Sequence, residues 1–447
     1  MQFSDFLKKD EILKKIEPIL KEKNAYLVGG YLRNYFLNNE ISSDKDIVAT
    51  KEAKELALEI SEFFEGTFVE LDKENEIYRV VLKDKTTYFD VARALDFDIE
   101  TDIKRRDLTI NSIFYDFKNE KIIDILGGIS DIENKILRTY SLKNLEDDPL
   151  RLLRVFRFMS KTGFDIENSL LEYIKENFGL INKIAKERIN YEIIKMFEGE
   201  YIEKTLLEML DLGVLEVIFP FVKEIKKVPE NSHHHLDLIH HSIETVRLIE
   251  TKNPILKIAA FFHDIGKPST WTIEPKGRHR FIGHDVKGGE IVKSELQKLN
   301  FSNKQISYIS KMVANHIYPA SLVLCSTDEK KKKKAYAKFF RKMKEDTLDV
   351  IALSKADRLS ARGSAVSEEM LQKALLHLED LKKYYFEMEN MIKTPKSLLS
   401  GDEIMEILNL KPSKKVGEVI NSLIEAQISK EIQTKEEAIN FIKNLNS

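Results

Sequence analysis

The sequence contains a single cysteine, Cys325, and only 17 glycines and 10 prolines among its 447 residues. One cysteine excludes a disulfide within the chain, and so few turn formers predict a chain that is globular throughout. No apolar run approaches the roughly 20 residues that a bilayer crossing needs. The opening "MQFSDFLKKDEILKK" is typical of an amphipathic charged helix rather than a signal peptide. These features predict a cytoplasmic protein.

An excess of charge of one sign is also absent. The 71 basic residues and 74 acidic residues give a net charge of -3, so the whole chain gives no indication of a nucleic-acid partner. Any surface that binds nucleic acid must therefore be local. Hydrophobic residues make up 43% of a chain that is long enough for about three domains with cores of their own.

The strand-like runs all lie in the first part of the sequence: "AYLVGG", "DIVAT", "TFVELD", "YRVVL" and "TYFDVA". From about Asp147 onward, apolar residues recur at helical spacing, as in "DPLRLLRVFRFMSKTGF". The pattern predicts an α/β part followed by an all-helical part. Turn formers or charge runs predict joints at 142–148, 226–232 and 391–401.

The stretch "YLVGGYLRNYFLNNEISSDKDIVAT" combines a diglycine, an arginine and two aspartates. We expect a strand that ends at Gly29 and Gly30, where the backbone can approach a ligand, followed by a helix whose first turn attracts phosphate. Arg33 is placed to pair with a triphosphate oxygen, and Asp44 and Asp46 project to one side of the next strand, where they can hold Mg²⁺. The alternative for each piece is an ordinary turn or a solvated loop.

A second polar cluster, "DIKRRDLTINSIFYD", begins an apolar segment. With the motifs before it, this cluster resembles the class II tRNA nucleotidyltransferase and bacterial poly(A) polymerase family, part of the DNA polymerase β-like superfamily. The resemblance runs from Leu27 to about Phe219 and implies an α+β fold, with a polymerase β-like α/β head followed by all-α segments. It assigns the glycine motif to Gly29, Gly30 and Arg33, the Mg²⁺-binding carboxylates to Asp44 and Asp46, and the ribose and triphosphate contacts to Arg106, Asp107 and Asn111.

The helix predicted in "DDPLRLLRVFRF" resembles the nucleobase-reading segment of the same family. The resemblance makes Asp148 and Arg151 the base readers and places Arg154 on the triphosphate. Asp148 and Arg151 are three residues apart, and we expect them on one helical face, where an acceptor beside a fork of donors can complement C or A. The alternative is an amphipathic neck helix with ordinary ion pairs. Asp90 in "YFDVA" is either a third carboxylate or a partly exposed strand residue.

Two positions depart from the family pattern, which usually has aspartate at Asn34 and glutamate at Asp147. Neither position is a metal ligand or a base reader in this assignment. The segment "KERINYEIIKMF" also matches the family, as a neck helix.

Histidines are concentrated in the middle of the chain, in "HHHLDLIHHSIETV", "AAFFHDIGKP", "RFIGHD" and "VANHIYPA". An adjacent His-Asp pair at the end of an apolar helix offers nitrogen and oxygen ligands to a divalent metal. The pattern resembles the HD phosphohydrolase superfamily. The resemblance implies one metal on His241, His263, Asp264 and Asp357, and a second on His284 and His316. It suggests activity on 2′- or 2′,3′-cyclic phosphates; "KADR" around Asp357 also fits a surface turn of helix.

The run "DEKKKKKAYAKFFRKMKED" interleaves basic and aromatic residues. This pattern fits either a groove for RNA phosphates or a solvated helix face. The C-terminal segment resembles the closing helical module of the family, in which Lys411, Lys414 and Lys415 could hold the tRNA backbone.

The sequence therefore predicts an enzyme that adds CCA, or only CC, to the 3′ end of tRNA from CTP and ATP. The predicted domains are a nucleotidyltransferase head (1–141), a helical neck that reads the base and binds RNA (142–228), an HD-type metal-binding domain (229–390) and a tRNA-binding tail (391–447). Open alternatives are a poly(A) polymerase, or an HD-domain phosphodiesterase or phosphatase with an RNA-binding head. Members of the family that add all of CCA usually carry a long flexible loop before the arginine motif; here only "RALDFDIET" intervenes, which leaves a stop at CC as open as addition of the final A.

Overall fold

The computed structural model describes residues 3–229, 237–275, 277, 279–322, 328–361, 363 and 366–445. Its contacts divide the chain into two compact units, Met1–Val214 and Leu215–Ser447. The finer division into four domains stays a prediction. Cys325 and part of the joint predicted at 226–232 lie outside the described residues.

The first unit contains a seven-stranded sheet in the order β3-β4-β5-β2-β1-β6-β7. All five strand-like runs of the sequence are strands, and β6 and β7 extend the sheet beyond them. The strands are β1 (Ala25–Val28), β2 (Asp44–Ala49), β3 (Thr67–Asp72), β4 (Ile77–Val81), β5 (Tyr88–Arg93), β6 (Phe114–Asp116) and β7 (Lys121–Ile123).

The centre of this sheet is set by two pairings of β2. It runs antiparallel to β1, with Val28 opposite Asp46, and parallel to β5, with Asp46 opposite Asp90. Side chains alternate along a strand, so Asp44 and Asp46 lie on one face of β2, and Asp90 is beside Asp46 on the neighbouring strand. The register therefore brings three carboxylates to one place on the sheet.

Helices pack on the sheet and continue beyond it in the first unit. Asp10 begins α2 by accepting hydrogen bonds from the backbone amides of Ile12 and Leu13, each at 3.1 Å. The helices of this part are α1 (Phe3–Leu7), α2 (Glu11–Glu22), α3 (Gly30–Asn38), α4 (Ala53–Phe63), α5 (Ile99–Lys104), α6 (Gly128–Asn134), α7 (Lys143–Asp147), α8 (Leu150–Thr162), α9 (Asn168–Asn177), α10 (Lys186–Phe197) and α11 (Ile202–Asp211).

Among the described residues, four short strands lie outside the main sheet, and three of them are in the part that the sequence predicts as all-helical, so that prediction is wrong in detail. A two-residue strand β8 (Ile136–Leu137) pairs with β9 (Asp165–Ile166), and β10 (Thr272–Ile273) pairs with β11 (His279–Arg280). Strands of two residues carry too few positions to show a period of two in the sequence.

The second unit is otherwise helical. Helix α15 has Asn253 as its N-cap and Pro254 in its first turn, and α18 begins with a capping box between Ser302 and Gln305. The remaining helices are α12 (Val214–Ile218), α13 (Phe221–Ile225), α14 (Leu238–Leu248), α15 (Pro254–Phe262), α16 (Lys267–Thr270), α17 (His284–Lys298), α18 (Asn303–Val313), α19 (Tyr318–Ser321), α20 (Glu329–Met343), α21 (Thr347–Ser360), α22 (Glu368–Lys393), α23 (Gly401–Leu408), α24 (Lys414–Ile428) and α25 (Lys435–Asn444).

The lysine-rich helix α20 uses its aromatic residues in the core. Tyr336, Phe339 and Phe340 are buried, while the lysines are on the other positions. Among the described helices, none combines the length and the apolar character that a bilayer crossing requires.

Candidate active site and metal centre

The diglycine forms the turn between β1 and α3. Gly29 has φ 67° and ψ -125°, a conformation that side chains disfavour, and α3 begins at Gly30. A Cβ atom on Gly29 would lie 3.0 Å from Oδ2 of Asp46 and 3.6 Å from Nη1 of Arg106. Both the backbone angles and the close approach of these charged groups therefore require glycine at this position.

The three carboxylates beside this turn differ in their surroundings. Asp44 is exposed at the start of β2, whereas Asp46 is half-buried. Burial raises the pKa of Asp46, and the negative charges of Asp90 and Asp44 raise it further against the opposing charge of Arg106. Burial and a hydrogen bond to Asp44 raise the pKa of Tyr88 to about 12. Such crowded carboxylates favour a bound cation.

Asp90 is held by a bidentate ion pair. Nε and Nη2 of Arg79 donate to its two carboxylate oxygens, each at 2.7 Å, and the Arg79 guanidinium also lies 4.3 Å from the ring centroid of Tyr88. Asp90 is thus a third carboxylate beside Asp46, and its charge is paired with Arg79.

Arg33 and the second polar cluster meet in the interior. Nη1 of Arg33 donates to Oδ1 of Asn111 at 2.5 Å, and Nη2 donates to Oδ1 of Asn34 at 3.3 Å. Burial lowers the pKa of Arg33 to about 10, with the positive charge of Arg157 acting in the same direction. Arg33 is therefore a buried cation whose hydrogen-bond partners are amide oxygens.

Asp107 is the centre of a hydrogen-bond network with α8. It accepts hydrogen bonds from Nδ2 of Asn111 at 3.0 Å and from Nε of Arg154 at 2.7 Å. Burial alone would raise the pKa of Asp107, but the Arg154 charge and these hydrogen bonds outweigh it and lower the pKa to about 2. Nη1 of Arg157 donates to both oxygens of Glu192, each at 3.2 Å. These pairs fix Arg154 and Arg157 in place.

The prediction that Asp148 and Arg151 share a helical face is wrong. Helix α7 ends at Asp147 and α8 begins at Leu150, so Asp148 lies between them with φ -140° and ψ 93°. The cause is Pro149, because a residue before proline is disfavoured in the helical conformation. Oδ2 of Asp148 accepts from Nη2 of Arg188 at 2.8 Å.

The guanidinium of Arg151 donates hydrogen bonds to backbone carbonyl groups. Its Nη1 donates to the carbonyl oxygens of Arg105 and Asn144 at 2.6 and 3.0 Å. Both predicted base readers thus have protein partners without a nucleotide present. Asp148 is bound by a side chain of α10, whereas Arg151 is bound by backbone carbonyls that precede α8.

A cavity of about 440 Å³ connects most of these groups. Its lining includes the predicted residues of the glycine, carboxylate and arginine motifs, but neither of the described residues Asp148 and Arg151. Sequence reasoning gave no role to several other lining residues. Arg157 and Phe158 lie in the quoted segment "DDPLRLLRVFRF", where their spacing from Arg154 could have indicated them, whereas Arg79 comes from a segment without such a motif. The lining is Gly29, Gly30, Arg33, Asn34, Ser42, Asp44, Asp46, Arg79, Tyr88, Asp90, Arg106, Asp107, Asn111, Arg154, Arg157, Phe158, Lys161 and Tyr191.

The second unit holds a cluster of four histidines and two aspartates. His241 on α14 and His263 after α15 approach with their Nε2 atoms 3.1 Å apart, and Nε2 of His241 lies 3.2 Å from Oδ1 of Asp357 on α21. Nε2 of His284 lies 3.3 Å from both Oδ1 of Asp264 and Nε2 of His316. The structure thus brings all six predicted side chains together.

Backbone carbonyls orient three of these histidines. The Nδ1 atoms of His263, His284 and His316 lie 2.7 to 2.8 Å from the carbonyl oxygens of residues three positions earlier. A ring that donates from Nδ1 leaves Nε2 as an acceptor for a metal. Two groups within the described residues could hold an ion: His241, His263 and Asp357, and His263, Asp264 and His316.

The electrostatics of the cluster also favour a cation. Burial opposes a charged His263, but Asp264 and Asp357 outweigh it and raise its pKa to about 10. Burial, with the charges of His263 and His284, lowers the pKa of His316 to about 3. Lys267, which sequence reasoning missed, donates from Nζ to Oδ2 of Asp264 at 2.5 Å. The two carboxylates therefore draw positive charge to the cluster.

Three family models match consecutive parts of the chain. They are the poly A polymerase head domain at residues 25–138, the probable RNA and SrmB-binding site of polymerase A at 163–226, and the HD domain at 238–362. The cavity lies largely within the first match and the histidine cluster lies within the third.

Curated relatives match nearly the whole chain. The A-adding tRNA nucleotidyltransferase of Deinococcus radiodurans is 29% identical over 94% of this chain and 95% of its own length, and the CC-adding enzyme of Thermus thermophilus is 28% identical over 95% and 94%. The multifunctional CCA protein of Legionella pneumophila is 30% identical over 62% of this chain and 71% of its own length.

Solved structures share the fold. The Bacillus stearothermophilus CCA-adding enzyme in complex with CTP has a TM-score of 0.68 at 18% identity and covers 98% of both chains. The Thermotoga maritima CCA-adding enzyme in complex with tRNA has a TM-score of 0.66 at 18% identity and covers 100% of this chain and 99% of that one. This chain therefore belongs to the CCA-adding tRNA nucleotidyltransferase family, and it is a nucleotidyltransferase.

Proposed function

We propose that this chain adds the two cytidylates of the CCA end to tRNA from CTP without a nucleic-acid template, and that the cavity of the first unit is its active site. The observation that carries the proposal is a single cavity with three carboxylates on the sheet side and a group of arginines on α3 and α8. Nucleotidyl transfer needs these two features, a site for divalent cations and a site for the triphosphate.

Asp44 and Asp46 are the proposed Mg²⁺ ligands. The donor set suits this ion, because carboxylate oxygens are its preferred ligands and the crowded charges that raise the pKa of Asp46 favour a cation. Magnesium held there supplies positive charge that polarises the attacking 3′ hydroxyl and offsets the charge of the leaving pyrophosphate. Tyr88 orients Asp44 by its hydrogen bond.

The triphosphate is proposed to bind Arg33, Arg106 and Arg154. Arg33 is buried and ready to donate to an anion, since its partners are neutral amide groups. Asp107 and Asn111 hold Arg154 and Arg33 in place and contact the ribose. Gly29 and Gly30 let the backbone approach the ligand, and their amides are at the start of α3, where a helix favours phosphate.

Asp148 and Arg151 are the proposed base readers. The carboxylate accepts from the exocyclic amino group of C or A, and the guanidinium donates to ring acceptors. For both to face one base, Asp148 must leave Arg188 or use its second oxygen. The contacts of Arg151 with two carbonyl oxygens restrict its movement.

The connection between β5 and α5 supports addition of CC only. Five residues, 94–98, join Arg93 to Ile99. The amide of Ala94 donates to the carbonyl of Ala49 at 2.8 Å, and the guanidinium of Arg93 lies 4.4 Å from the ring centroid of Phe97. A short connection held by such contacts provides little leverage to move the base readers between C and A.

The test supplies a tRNA that ends at the discriminator base with CTP alone, ATP alone, or both, and resolves the products by length. We expect two added nucleotides with CTP and no further growth when ATP is added. Growth by one nucleotide in ATP, only on a tRNA that already ends in CC, identifies an A-adding enzyme. Long adenylate tails without CTP contradict the proposal and favour a poly(A) polymerase.

The histidine cluster supports a second function. We propose that the second unit hydrolyses phosphoesters such as 2′,3′-cyclic phosphates, with divalent metal held by His241, His263, Asp264 and Asp357 and by His284 and His316. The residues fit a metal because the Nε2 atoms of at least three buried histidines converge on two carboxylates. A metal bound there supplies a Lewis acid for hydrolysis. Release of 2′- or 3′-phosphate from 2′,3′-cyclic AMP with Mn²⁺, Co²⁺ or Mg²⁺, and its loss with a chelator, tests this function.

A further inference from the structure

Lys161 is a cavity residue to which neither the motifs nor the proposed function gives a role. It follows Arg157 by four residues and Arg154 by seven on α8. Positions at this spacing lie on one face of a helix. All three side chains line the cavity, and the side chain of Lys161 stays accessible to solvent there. Helix α8 therefore presents a row of three cations to the same space.

Arg33 on α3 and the three cations of α8 form one wall of the cavity, and acidic side chains neutralise only part of their charge. Arg154 pairs with Asp107, and Arg157 pairs with Glu192. Among the residues that the structure describes, no carboxylate lies within salt-bridge distance of Lys161 or of Arg33. The wall therefore carries two positive charges without an ion-pair partner.

An aromatic ring keeps three of these cations close together. The guanidinium carbons of Arg33, Arg157 and Arg154 lie 4.8, 5.0 and 5.5 Å from the ring centroid of Phe158. The negative face of the ring attracts each cation, which reduces the cost of their mutual repulsion. A cluster of three guanidinium groups can bind an anion that carries several negative charges.

Without a bound anion, the surroundings of Lys161 destabilise the protonated form of its side chain. Partial burial and the charges of Arg33 and Arg157 lower the pKa of Lys161 to about 8, against the weaker attraction of Glu40 and Asp44. A lysine that is merely solvated at the end of a helix would gain from the helix dipole and keep its ordinary pKa. An anion near Lys161 therefore stabilises its charged form.

We propose that Lys161 binds the β- and γ-phosphates of the incoming nucleotide and then holds the leaving pyrophosphate. This inference rests on the proposed function of the cavity. In the reaction the 3′ oxygen forms a bond to the α-phosphorus and loses its proton to water. The bond from that phosphorus to the bridging oxygen breaks, and its electron pair goes to the pyrophosphate. Lys161 keeps its proton and offsets the charge that grows on this oxygen.

The charge of Lys161 makes the reaction pH-dependent. In the free protein Lys161 loses its proton as the pH rises through about 8, and a bound triphosphate favours the charged form. We expect kcat/KM for the nucleotide to fall above this pH while kcat changes less. Arginine stays charged in this range, so Lys161→Arg should remove most of the fall.

The experiment measures nucleotide addition to tRNA by the full chain, wild type and three variants, between pH 7 and 9.5. Lys161→Met should raise the KM for the nucleotide and the inhibition constant of pyrophosphate by about tenfold, with an unchanged KM for tRNA. Lys161→Arg should restore both constants. Lys175→Met, a change of an exposed lysine on α9 outside the cavity lining, is the control.

The outcomes separate this inference from the proposed function. An active wild type whose nucleotide and pyrophosphate constants do not change in Lys161→Met overturns the inference alone. A wild type that adds no nucleotide overturns the proposed function and the inference with it. Circular dichroism of each variant shows whether a change in activity comes from unfolding.

Discussion

Asp46 is subject to opposed electrostatic effects that make its charge unfavourable in the free protein. Burial and the neighbouring carboxylates raise its pKa, whereas Arg106 lowers it. A carboxyl whose pKa is raised in the folded state stabilises the fold at low pH, and this contribution is lost as the pH rises through the folded pKa. At neutral pH the charged group therefore contributes to metal binding rather than to stability.

We therefore predict that Asp46→Asn lowers nucleotide addition by about a hundredfold or more. The same change should leave the melting temperature at pH 7 equal or higher, because it removes an unfavourable charge and preserves the shape of the side chain. Asp72→Asn on the exposed strand β3 is the matched control and should leave addition unchanged. Addition near the wild-type rate in Asp46→Asn would exclude this residue as a metal ligand.

Helix α8 positions the cations of the cavity through Phe158. Its ring is in contact with three guanidinium groups, while Phe156, two residues earlier, is buried and packs on Phe178 at 6.3 Å between ring centroids. The two phenylalanines are thus on the same helix, but Phe158 contacts arginines and Phe156 contacts another aromatic ring.

Leucine substitutions separate these two roles. We predict that Phe158→Leu and Phe156→Leu both lower the free energy of unfolding, by roughly 1–3 kcal/mol. Only Phe158→Leu should also raise the KM for the nucleotide, by about threefold to tenfold, because the arginines lose their attraction to the ring. Phe158→Tyr should restore the KM. Equal KM values in the two leucine variants would show that the ring has no part in placing the arginines.

Local patterns predict the elements around the cavity well. The apolar run before the diglycine is β1, the aspartate pair is on β2, and "YFDVA" is β5. These assignments succeed because strand alternation and glycine requirements are properties of adjacent residues. The short strands β6 to β11 carry too few residues for such a signal.

Tertiary proximity accounts for what the sequence could not predict. Arg79 and Tyr191 join the cavity from separate segments, and nothing in their local sequence indicates which residues they face. Lys161 is different, because its spacing of seven residues from Arg154 on α8 could have placed it on the same face. The wrong placement of Asp148 on the same helix as Arg151 is different, because the sequence contains a residue that indicates the correct structure. Pro149 disfavours helix at the preceding residue and could have placed Asp148 outside α8.

At the scale of the whole chain, each unit holds one of the two candidate sites. The carboxylate and arginine cavity is formed by residues of the first unit, and the histidine cluster by residues of the second. The two proposed activities should therefore respond to different substitutions.

We predict that Asp357→Asn abolishes metal-dependent hydrolysis of 2′,3′-cyclic AMP and leaves CTP addition within about twofold of wild type. Asp349→Asn, on the same helix but paired with Tyr308, is the control and should preserve both activities. Asp46→Asn should show the reverse, with hydrolysis retained. Loss of both activities in folded Asp357→Asn would mean that the two sites are coupled.

The cavity of the first unit is proposed to bind the nucleotide and its metal ions together. The most direct test of this proposal is a crystal structure of the full chain with a non-hydrolysable CTP analogue and Mn²⁺, with manganese located by anomalous scattering. We expect manganese on the carboxylates of Asp44 and Asp46, and the triphosphate in contact with Arg33 and Arg154. Manganese found only at the histidine cluster, or an analogue bound away from the cavity, would contradict the proposal.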